Sequence, residues 1–141
     1  YGPFGSYDNG REKAPAALCR KIIDAKLTKK KSIEIWGDGK QTRDFTFVDN
    51  AVQANIKGFF ASDKAKNNVF NVACGERIDL NYLWDVLKSS ANSKLNATYG
   101  PPRLGDVRDS LANIAKAQKL MSYQPQFTVR EGLRITWDWF K

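Results

Sequence analysis

Two short segments combine arginine with glycine, proline and aspartate in a way that suits a phosphorylated ligand. The first is Gly37-Asp38-Gly39-Lys40-Gln41-Thr42-Arg43-Asp44, and the second is Pro101-Pro102-Arg103-Leu104-Gly105-Asp106-Val107-Arg108-Asp109. Arginine offers a planar fork of N–H donors, so three arginines in two such segments match the charge and shape of a diphosphate. The aspartates of the second segment can orient these arginines or bind a ribose hydroxyl. For Arg43, an ion pair with Asp44 or Asp49 is an equally good interpretation.

The opening segment, residues 1–21, also carries residues that could do chemistry. Three glycines give its backbone freedom next to Glu12 and Lys13. Such a loop can place a lysine ammonium beside a ligand, and a loop that faces solvent before a helix is the alternative. Composition alone favours the solvent-facing loop.

The formal net charge of +8 would attract nucleic acid, an acidic membrane or a phosphorylated small molecule. The tight basic cluster Lys29-Lys30-Lys31 lies between a helical pattern and a strand pattern, which is typical of a solvated turn. Aromatic residues do not alternate with basic ones, as a base-stacking surface requires. We therefore expect a small anionic ligand and no nucleic-acid partner.

The two cysteines, Cys19 and Cys74, lie far apart in a chain that has no histidine. This composition predicts neither a metal site nor a disulfide framework, and it fits a reducing cytoplasm. No apolar run approaches the ~20 residues of a membrane span, and no charged segment precedes an apolar leader. We expect a soluble, cytoplasmic domain with no membrane partner.

The hydrophobic pattern predicts one compact mixed α/β domain, since 42% hydrophobic residues and four tryptophans can build a core of ordinary size. Helices are expected at residues 15–27, 49–60, 79–87, 114–121 and 128–140. Strands are expected at residues 32–36, 45–48, 69–72 and 96–99.

Some residues predict details of these helices. Asp49 and Asp79 are expected to cap two of them, and Thr128 with Glu131 forms a capping box at the start of the last. One apolar stripe on the second helix predicts a core-facing side. Its members are Val52, Ile56, Phe59 and Phe60.

Motifs along essentially the whole chain resemble one enzyme family. In order they are Trp36-Gly37-Asp38-Gly39, Gln41-Thr42-Arg43-Asp44-Phe45-Thr46-Phe47-Val48-Asp49, Phe70-Asn71-Val72, Cys74-Gly75, Arg103-Leu104-Gly105-Asp106-Val107-Arg108 and Glu131-Gly132-Leu133. The sequence looks like the C-terminal half of extended short-chain dehydrogenase/reductase nucleotide-sugar epimerases and dehydratases. The resemblance implies that a Rossmann-type N-terminal half binds NAD, while residues 1–141 form the part that binds the nucleotide sugar.

The resemblance also implies roles for individual residues. Arg43 and Arg103 would hold the substrate's diphosphate, and Asp106 would lie near the ribose. Further contacts to the nucleotide sugar are expected from Gln41, Thr42 and Arg108. The family implies a homodimer for the full-length enzyme.

Two motifs that NAD chemistry needs are not found in this sequence. No G-x-x-G-x-x-G loop follows a strand pattern, and Tyr7 and Tyr99 are each followed four residues later by arginine instead of the lysine of Tyr-x-x-x-Lys. That lysine would lower the tyrosine pKa, so that the phenolate can take a proton as hydride leaves. We therefore expect a C-terminal fragment that is inactive alone and that self-associates through apolar surface bared by the missing half.

The opening segment is similar to that of GDP-mannose 3,5-epimerases. By this similarity Lys13 acts as an acid/base on the sugar, while Glu12 and Lys21 contact the substrate. Once C4 is oxidised to a ketone, inversion at C3 and C5 requires one group to remove a proton and another to return it on the opposite face.

The second half of the chain favours another reaction. Residues 48–55, 69–74 and 130–134 look closer to UDP-hexose or UDP-N-acetylhexosamine 4-epimerases, which need no lysine at this place. We prefer the 3,5-epimerase because its match falls on residues with a chemical role. A 4-epimerase or dehydratase is the first alternative, and a non-catalytic nucleotide-sugar-binding module is the second.

Overall fold

A computed structural model describes residues 1–5 and 14–141, which contain five α-helices and two small sheets. The α-helices are α1 (Ala14–Leu27), α2 (Val48–Phe59), α3 (Leu80–Ser90), α4 (Ala115–Met121) and α5 (Val129–Phe140), and a short 3₁₀ helix covers Asp63–Ala65. The strands are β1 (Ser32–Ile35), β2 (Thr42–Arg43), β3 (Ile78–Asp79) and β4 (Asn96–Tyr99). This architecture confirms the predicted α/β fold of helices with short strands.

The two sheets set the frame of the molecule. β1 and β4 pair in parallel, with Ile35 opposite Tyr99, and such a pair requires a long crossover, which here includes α2 and α3. β2 pairs antiparallel with β3, with Arg43 opposite Ile78. β2 also forms an isolated parallel bridge with Asp109. The short strand β2 therefore lies between β3 and the loop that follows β4.

The main core lies where α1, α3 and α5 pack around β1. Ile33 and Ile35 of β1 are both buried there, as the two-residue period of a strand predicts. The helices add side chains from successive turns, namely Leu18 and Ile22 from α1, Leu83 and Leu87 from α3, and Leu133 and Trp137 from α5. Burying each such side chain contributes about 1.5–3 kcal/mol to stability.

A second, smaller core lies beside α2 and α4. It includes Ala54, Ala117, Met121 and the fully buried Tyr123. The hydroxyl of Tyr123 donates to the carbonyl of Ala73 at 3.0 Å, and burial raises its pKa to about 12. The phenol therefore stays protonated and keeps this hydrogen bond in ordinary buffers.

Asn50 joins the second core to the start of α5. Its side chain is fully buried, and its Nδ2 donates to the carbonyl of Phe127 at 2.8 Å. Its Oδ1 accepts from the N–H groups of Gln126 and Phe127 at 2.8 and 3.0 Å. Because a buried amide must satisfy its polar atoms, this side chain fixes the loop that leads into α5.

Two of the predicted helix starts are confirmed. The side chain of Asp79 accepts from the N–H of Tyr82 at 2.7 Å and caps α3. At the start of α5, the N–H of Glu131 donates to Thr128 Oγ1 at 3.2 Å, and the N–H of Thr128 donates to Glu131 Oε2 at 2.9 Å. These contacts satisfy N–H groups that a helix start leaves without partners.

Two predicted strands are wrong, and so is one cap. Residues 45–47 belong to no strand and lie against the first residue of the chain. The amino group of Tyr1 donates to the carbonyl of Thr46 at 2.9 Å, and its carbonyl accepts from the N–H of Val48 at 2.8 Å. Val48 already begins α2, so Asp49 lies in its first turn and Phe47 takes the cap position. Residues 69–72 form no ladder with any described segment.

The apolar stripe on α2 faces outward, contrary to prediction. The exposed fractions are 49% for Val52, 55% for Ile56, 83% for Phe59 and 78% for Phe60. The buried face of α2 carries Asn50 and Ala54 instead. The inward side is small and polar because the helix packs closely on the second core and because Asn50 must reach the loop before α5.

Gly132 allows α5 to approach the middle of the chain closely. A Cβ at this position would lie 2.8 Å from Cδ2 of Phe47 and 2.6 Å from the hydroxyl oxygen of Tyr1. Glycine inside a helix normally costs about 0.5–1 kcal/mol relative to alanine. Here the contact with Phe47 requires it.

We predict that Gly132→Ala lowers the free energy of unfolding by about 1–3 kcal/mol, because the added methyl group overpacks this contact. Gly58→Ala on α2 is the matched control. Its Cβ would meet only Met121 Sδ at 3.7 Å, and alanine favours a helix by up to about 1 kcal/mol. Urea unfolding followed by circular dichroism measures both variants. Equal stability of the two would contradict the close packing.

Candidate functional site

A cavity of about 630 Å³, called the cleft below, opens beside the carboxyl end of β1. Its walls come from α1, the end of β1, the residues around β2, the start of α3 and the loop after β4. Segments that leave the carboxyl ends of parallel strands meet at one edge of a sheet, which is where ligands commonly bind. The cleft brings together five of the predicted site residues, namely Lys21, Gln41, Arg43, Arg103 and Asp106.

Arg43 lies on β2, and its side chain is half-buried. Its Nη1 donates to the carbonyl of Thr42 at 2.7 Å, and its Nη2 pairs with Oδ1 of Asp106 at 2.5 Å. The ion-pair partner of Arg43 is therefore Asp106, in place of the neighbouring aspartates that the sequence suggested. This pair connects β2 to the loop after β4 across the cleft.

Asp44 has a role that the sequence did not reveal. Its two carboxylate oxygens accept the N–H groups of Cys74 and Gly75, each at 2.9 Å. Gly75 has a φ of 76°, a conformation that favours glycine. The carboxylate thus fastens the loop around residue 74 to the end of β2. In the sequence, the only local sign of this contact is the glycine that follows Cys74. A glycine there does not show that Asp44 is the partner.

Gln41 is 8% exposed and lies at the wall of the cleft. Its Nε2 donates to the carbonyl of Trp36 at 2.7 Å, whereas its buried Oε1 has no hydrogen-bond partner among the described residues. Buried polar atoms are normally paired, so this oxygen is a candidate acceptor for a ligand. The turn at Gly37 packs against this amide, since a Cβ there would lie 3.3 Å from Nε2.

Lys21 and Arg103 place positive charge on two sides of the cleft. The ammonium of Lys21 donates to the carbonyl of Glu34 at 2.5 Å. Burial lowers the pKa of Lys21, the charge of Glu34 opposes that change, and Arg103 adds to it. The guanidinium of Arg103 lies 5.9 Å from the centre of the Trp36 ring, a cation–π contact at the mouth of the cleft.

Thr42 and Arg108 do not line the cleft and instead fasten the loop after β4. Thr42 Oγ1 donates to Asp109 Oδ1 at 2.6 Å, and its N–H donates to the carbonyl of Arg108 at 2.9 Å. The guanidinium of Arg108 binds both carboxylate oxygens of Asp38, at 2.9 and 3.0 Å. These contacts hold a loop whose residues 101–110 are all exposed. They thereby position Arg103 and Asp106 at the cleft.

Glu12 and Lys13 lie outside the described residues. Ala14 and Pro15, which follow them directly, line the cleft. The roles predicted for Glu12 and Lys13 on the sugar therefore stay predictions.

The glycine turn at residues 37–39 is not open to a ligand. The glycine turn at residues 37–39 is filled by α3, because a Cβ at Gly39 would lie 2.1 Å from Asn81 Oδ1. The N–H of Asn81 also donates to the carbonyl of Gly39 at 3.0 Å, so this turn offers no open cradle for a pyrophosphate. Within residues 1–5 and 14–141, no three His, Cys, Asp or Glu side chains cluster as metal ligands would. None of the helices described there is long and apolar enough to cross a bilayer.

The pKa of Asp38 is lowered to about 2, mainly by the hydrogen bonds that Arg108 donates. The hydrogen bond from the Lys40 N–H makes a smaller contribution. The stabilising contact is therefore complete above the ordinary pKa of 3.8 and is lost as the pH falls toward 2. We predict that Arg108→Gln returns the pKa of Asp38 toward 3.8, as measured by carbon-13 NMR of its carboxyl group. Arg134→Gln, an exposed change on α5, is the control. An unchanged titration in Arg108→Gln would refute this contact.

Comparison with known proteins identifies relatives that are much longer than this chain. GDP-mannose 3,5-epimerase from Arabidopsis thaliana is 36% identical over the whole chain, which spans 35% of that protein. UDP-glucuronate 4-epimerase from Thermodesulfobacterium geofontis is 33% identical over 82% of this chain and 35% of its own length. The chain thus spans about a third of the length of these curated relatives.

Solved structures with the same fold also include nucleotide-sugar epimerases. UDP-glucose 4-epimerase from Thermotoga maritima, solved with UDP-glucose, has a TM-score of 0.87 and 30% identity, and the match covers 99% of this chain and 42% of that one. UDP-N-acetylglucosamine 4-epimerase from Methanobrevibacter ruminantium, in complex with UDP-N-acetylmuramic acid, has a TM-score of 0.86 and 30% identity, covering 99% and 43%. A family model described as the NAD dependent epimerase/dehydratase family matches residues 1–73. With this match over more than half of its residues, the chain belongs to the NAD dependent epimerase/dehydratase family.

Proposed function

We propose that this chain is the nucleotide-sugar-binding part of an NAD-dependent nucleotide-sugar epimerase, with Arg43 and Arg103 as the ligands of the substrate's diphosphate. The observation that carries the proposal is the cleft, which gathers these two arginines with Gln41 beside the carboxyl end of β1. The family match and the epimerase relatives support the same reaction class.

The charges of the cleft suit a ligand with two phosphates. Two guanidinium groups can each bind a phosphate through paired N–H donors, and the ammonium of Lys21 adds a third positive charge. Asp44, which also lines the cleft, is held by two backbone N–H groups. A phosphate that binds Arg43 would take over the contact now made by Asp106, leaving that carboxylate to accept a ribose hydroxyl.

The sugar end of the substrate needs groups that orient it. In this proposal, the unpaired Oε1 of Gln41 accepts a hydroxyl of the ligand, and Thr42 and Arg108 act by fixing the loop after β4. NAD, when bound by another part of the full-length enzyme, supplies hydride exchange with the sugar. Lys13 is proposed as the acid/base at C3 and C5, with Glu12 in contact with the substrate.

The reaction that we favour is 3,5-epimerisation of GDP-mannose. The similarity of the opening segment and the 36% identity to the Arabidopsis thaliana enzyme support it. The second candidate is 4-epimerisation of a UDP-sugar. The high structural similarity to two such epimerases, both solved with UDP compounds, favours this alternative.

The proposal extends to the state of the protein in the cell. We place the enzyme in the cytoplasm, in carbohydrate biosynthesis, as a homodimer of full-length chains. Both cysteines are free thiols, which is consistent with that compartment. The outward apolar stripe on α2 supports self-association of the isolated chain.

Replacing either cleft arginine should weaken binding of a nucleoside diphosphate. We predict about 10- to 100-fold weaker binding for Arg43→Gln and for Arg103→Gln, since hydrogen bonds to charged groups contribute about 1.5–3 kcal/mol each. Isothermal titration calorimetry of the full-length protein with GDP and with UDP gives the affinities. The matched control, Arg130→Gln on the outside of α5, should bind as the parent does. Unchanged affinity in both cleft variants would contradict the proposed diphosphate site.

Lys13→Ala distinguishes the two reactions. In deuterated water, a 3,5-epimerase should exchange the protons at C3 and C5 of GDP-mannose, and Lys13→Ala should lower this exchange by about 10²–10⁴-fold. Proton NMR of the sugar measures it. A 4-epimerase should convert UDP-glucose without exchange and should tolerate the change. The control Lys64→Ala, far along the chain in the 3₁₀ helix, should leave either reaction unaffected.

A further inference from the structure

A second depression, of about 400 Å³, lies at the opposite end of the parallel strands from the cleft. Because β1 and β4 run in the same direction, the turns that precede them meet at one edge of the sheet. Residues 29–31 lead into β1, and residues 92–95 lead into β4. We call this feature the lysine depression, since five lysines line it, namely Lys26, Lys29, Lys30, Lys31 and Lys94.

The lysine depression carries an unbalanced positive charge. No aspartate or glutamate lines it. Lys26 is already engaged, because its ammonium donates to the carbonyl of Ala91 at 2.8 Å and lies 5.4 Å from the centre of the Trp137 ring. The other four lysines are exposed, and their ammonium groups form no hydrogen bond or ion pair with the part of the chain that the structure describes.

Both turns have a fixed backbone. Lys29 and Asn92 are left-handed, with φ values of 55° and 44°, and each lies two residues after the end of a helix, α1 and α3 respectively. The N–H of Lys30 then donates to the carbonyl of Ala25 at 2.9 Å, and that of Ser93 to the carbonyl of Lys88 at 3.0 Å. This is the pattern of a Schellman motif, which ends each helix tightly. The four ammonium groups are therefore attached to a rigid base.

Helix dipoles account for only part of this lysine clustering. The carboxyl end of a helix carries roughly half of a negative elementary charge, and lysines near it are stabilised. Two helices, α1 and α3, end at the lysine depression, so together they offset about one positive charge. Four unpaired lysines exceed that amount, and the surplus remains available to an anion from solution.

We propose that the lysine depression binds a small oligophosphate anion. Ammonium groups are compact point charges, which can meet phosphate oxygens in several orientations. No aromatic side chain lines the depression, so it offers no surface on which a nucleotide base would stack. Its volume suits a compact anion better than an extended polymer. This site is independent of the nucleotide-sugar cleft and of the proposed reaction.

Inorganic tripolyphosphate is the probe that tests this proposal. Calorimetry with the 141-residue chain should detect binding that weakens as the salt concentration rises. The combined change of Lys29, Lys30, Lys31 and Lys94 to Gln should weaken it at least about tenfold. The control is Lys64→Gln with Lys119→Gln, two exposed lysines elsewhere, which should bind as the parent does. Circular dichroism should show the same folded spectrum in all variants.

Three further measurements test whether the anion binds in the lysine depression and whether the depression is specific for a small anion. Arg43→Gln with Arg103→Gln should keep tripolyphosphate binding, and loss of binding there would assign the anion to the cleft and overturn the proposal. In nitrogen-15 NMR of the parent chain, tripolyphosphate should shift the N–H signals of Asn92 and Ser93, and unshifted signals would also overturn it. The proposal would also be overturned if a single-stranded 12-mer DNA bound more tightly than tripolyphosphate and depended on the same four lysines, because that result would indicate a nucleic-acid surface.

Discussion

The parallel pairing of β1 with β4 is the constraint on which both charged regions of this protein depend. The pairing continues beyond the strands, because the N–H of Gly100 donates to the carbonyl of Ile35 at 2.9 Å and that of Gly37 to the carbonyl of Pro101 at 3.2 Å. The two chain segments therefore leave the sheet side by side, and Arg103 comes to lie over Trp36. The same geometry brings the turns before the strands together at the other end, where lysines gather.

Within the cleft, charge and hydrogen bonding assign distinct tasks to neighbouring residues. Arg43 faces the cleft while the next residue, Asp44, turns its carboxylate to two backbone N–H groups. Asp44 follows β2 directly and also lines the cleft, but its two oxygens are already occupied by these N–H groups. Arg108 and Asp106 divide in the same way, one binding the turn at Asp38 and the other reaching Arg43. The loop after β4 thus presents Arg103 and Asp106 at the cleft because its other charges fasten it.

The elements that were predicted correctly are those that local sequence controls. Helices α1, α3 and α5 have apolar residues spaced by single turns, and Asp79 and Thr128 meet N–H groups only three residues away. The predicted strands at 45–48 and 69–72 failed because strand formation needs a partner that local pattern does not specify. The stripe on α2 failed for a related reason, since periodicity identifies an apolar face but does not say what packs against it.

The sequence by itself determined the fold class, the order of the main helices, and the arginine-bearing segments whose motifs resemble a nucleotide-sugar enzyme family. These follow from periodicity, capping residues and motif spacing, all of which act over a few residues. Only the tertiary structure decided that Asp106 pairs with Arg43, that Asp44 holds Cys74 and Gly75, and that Arg108 turns to Asp38. Those partners lie about 30 to 70 residues apart along the chain. Contacts over such separations are set by strand register and helix packing, which no local pattern encodes.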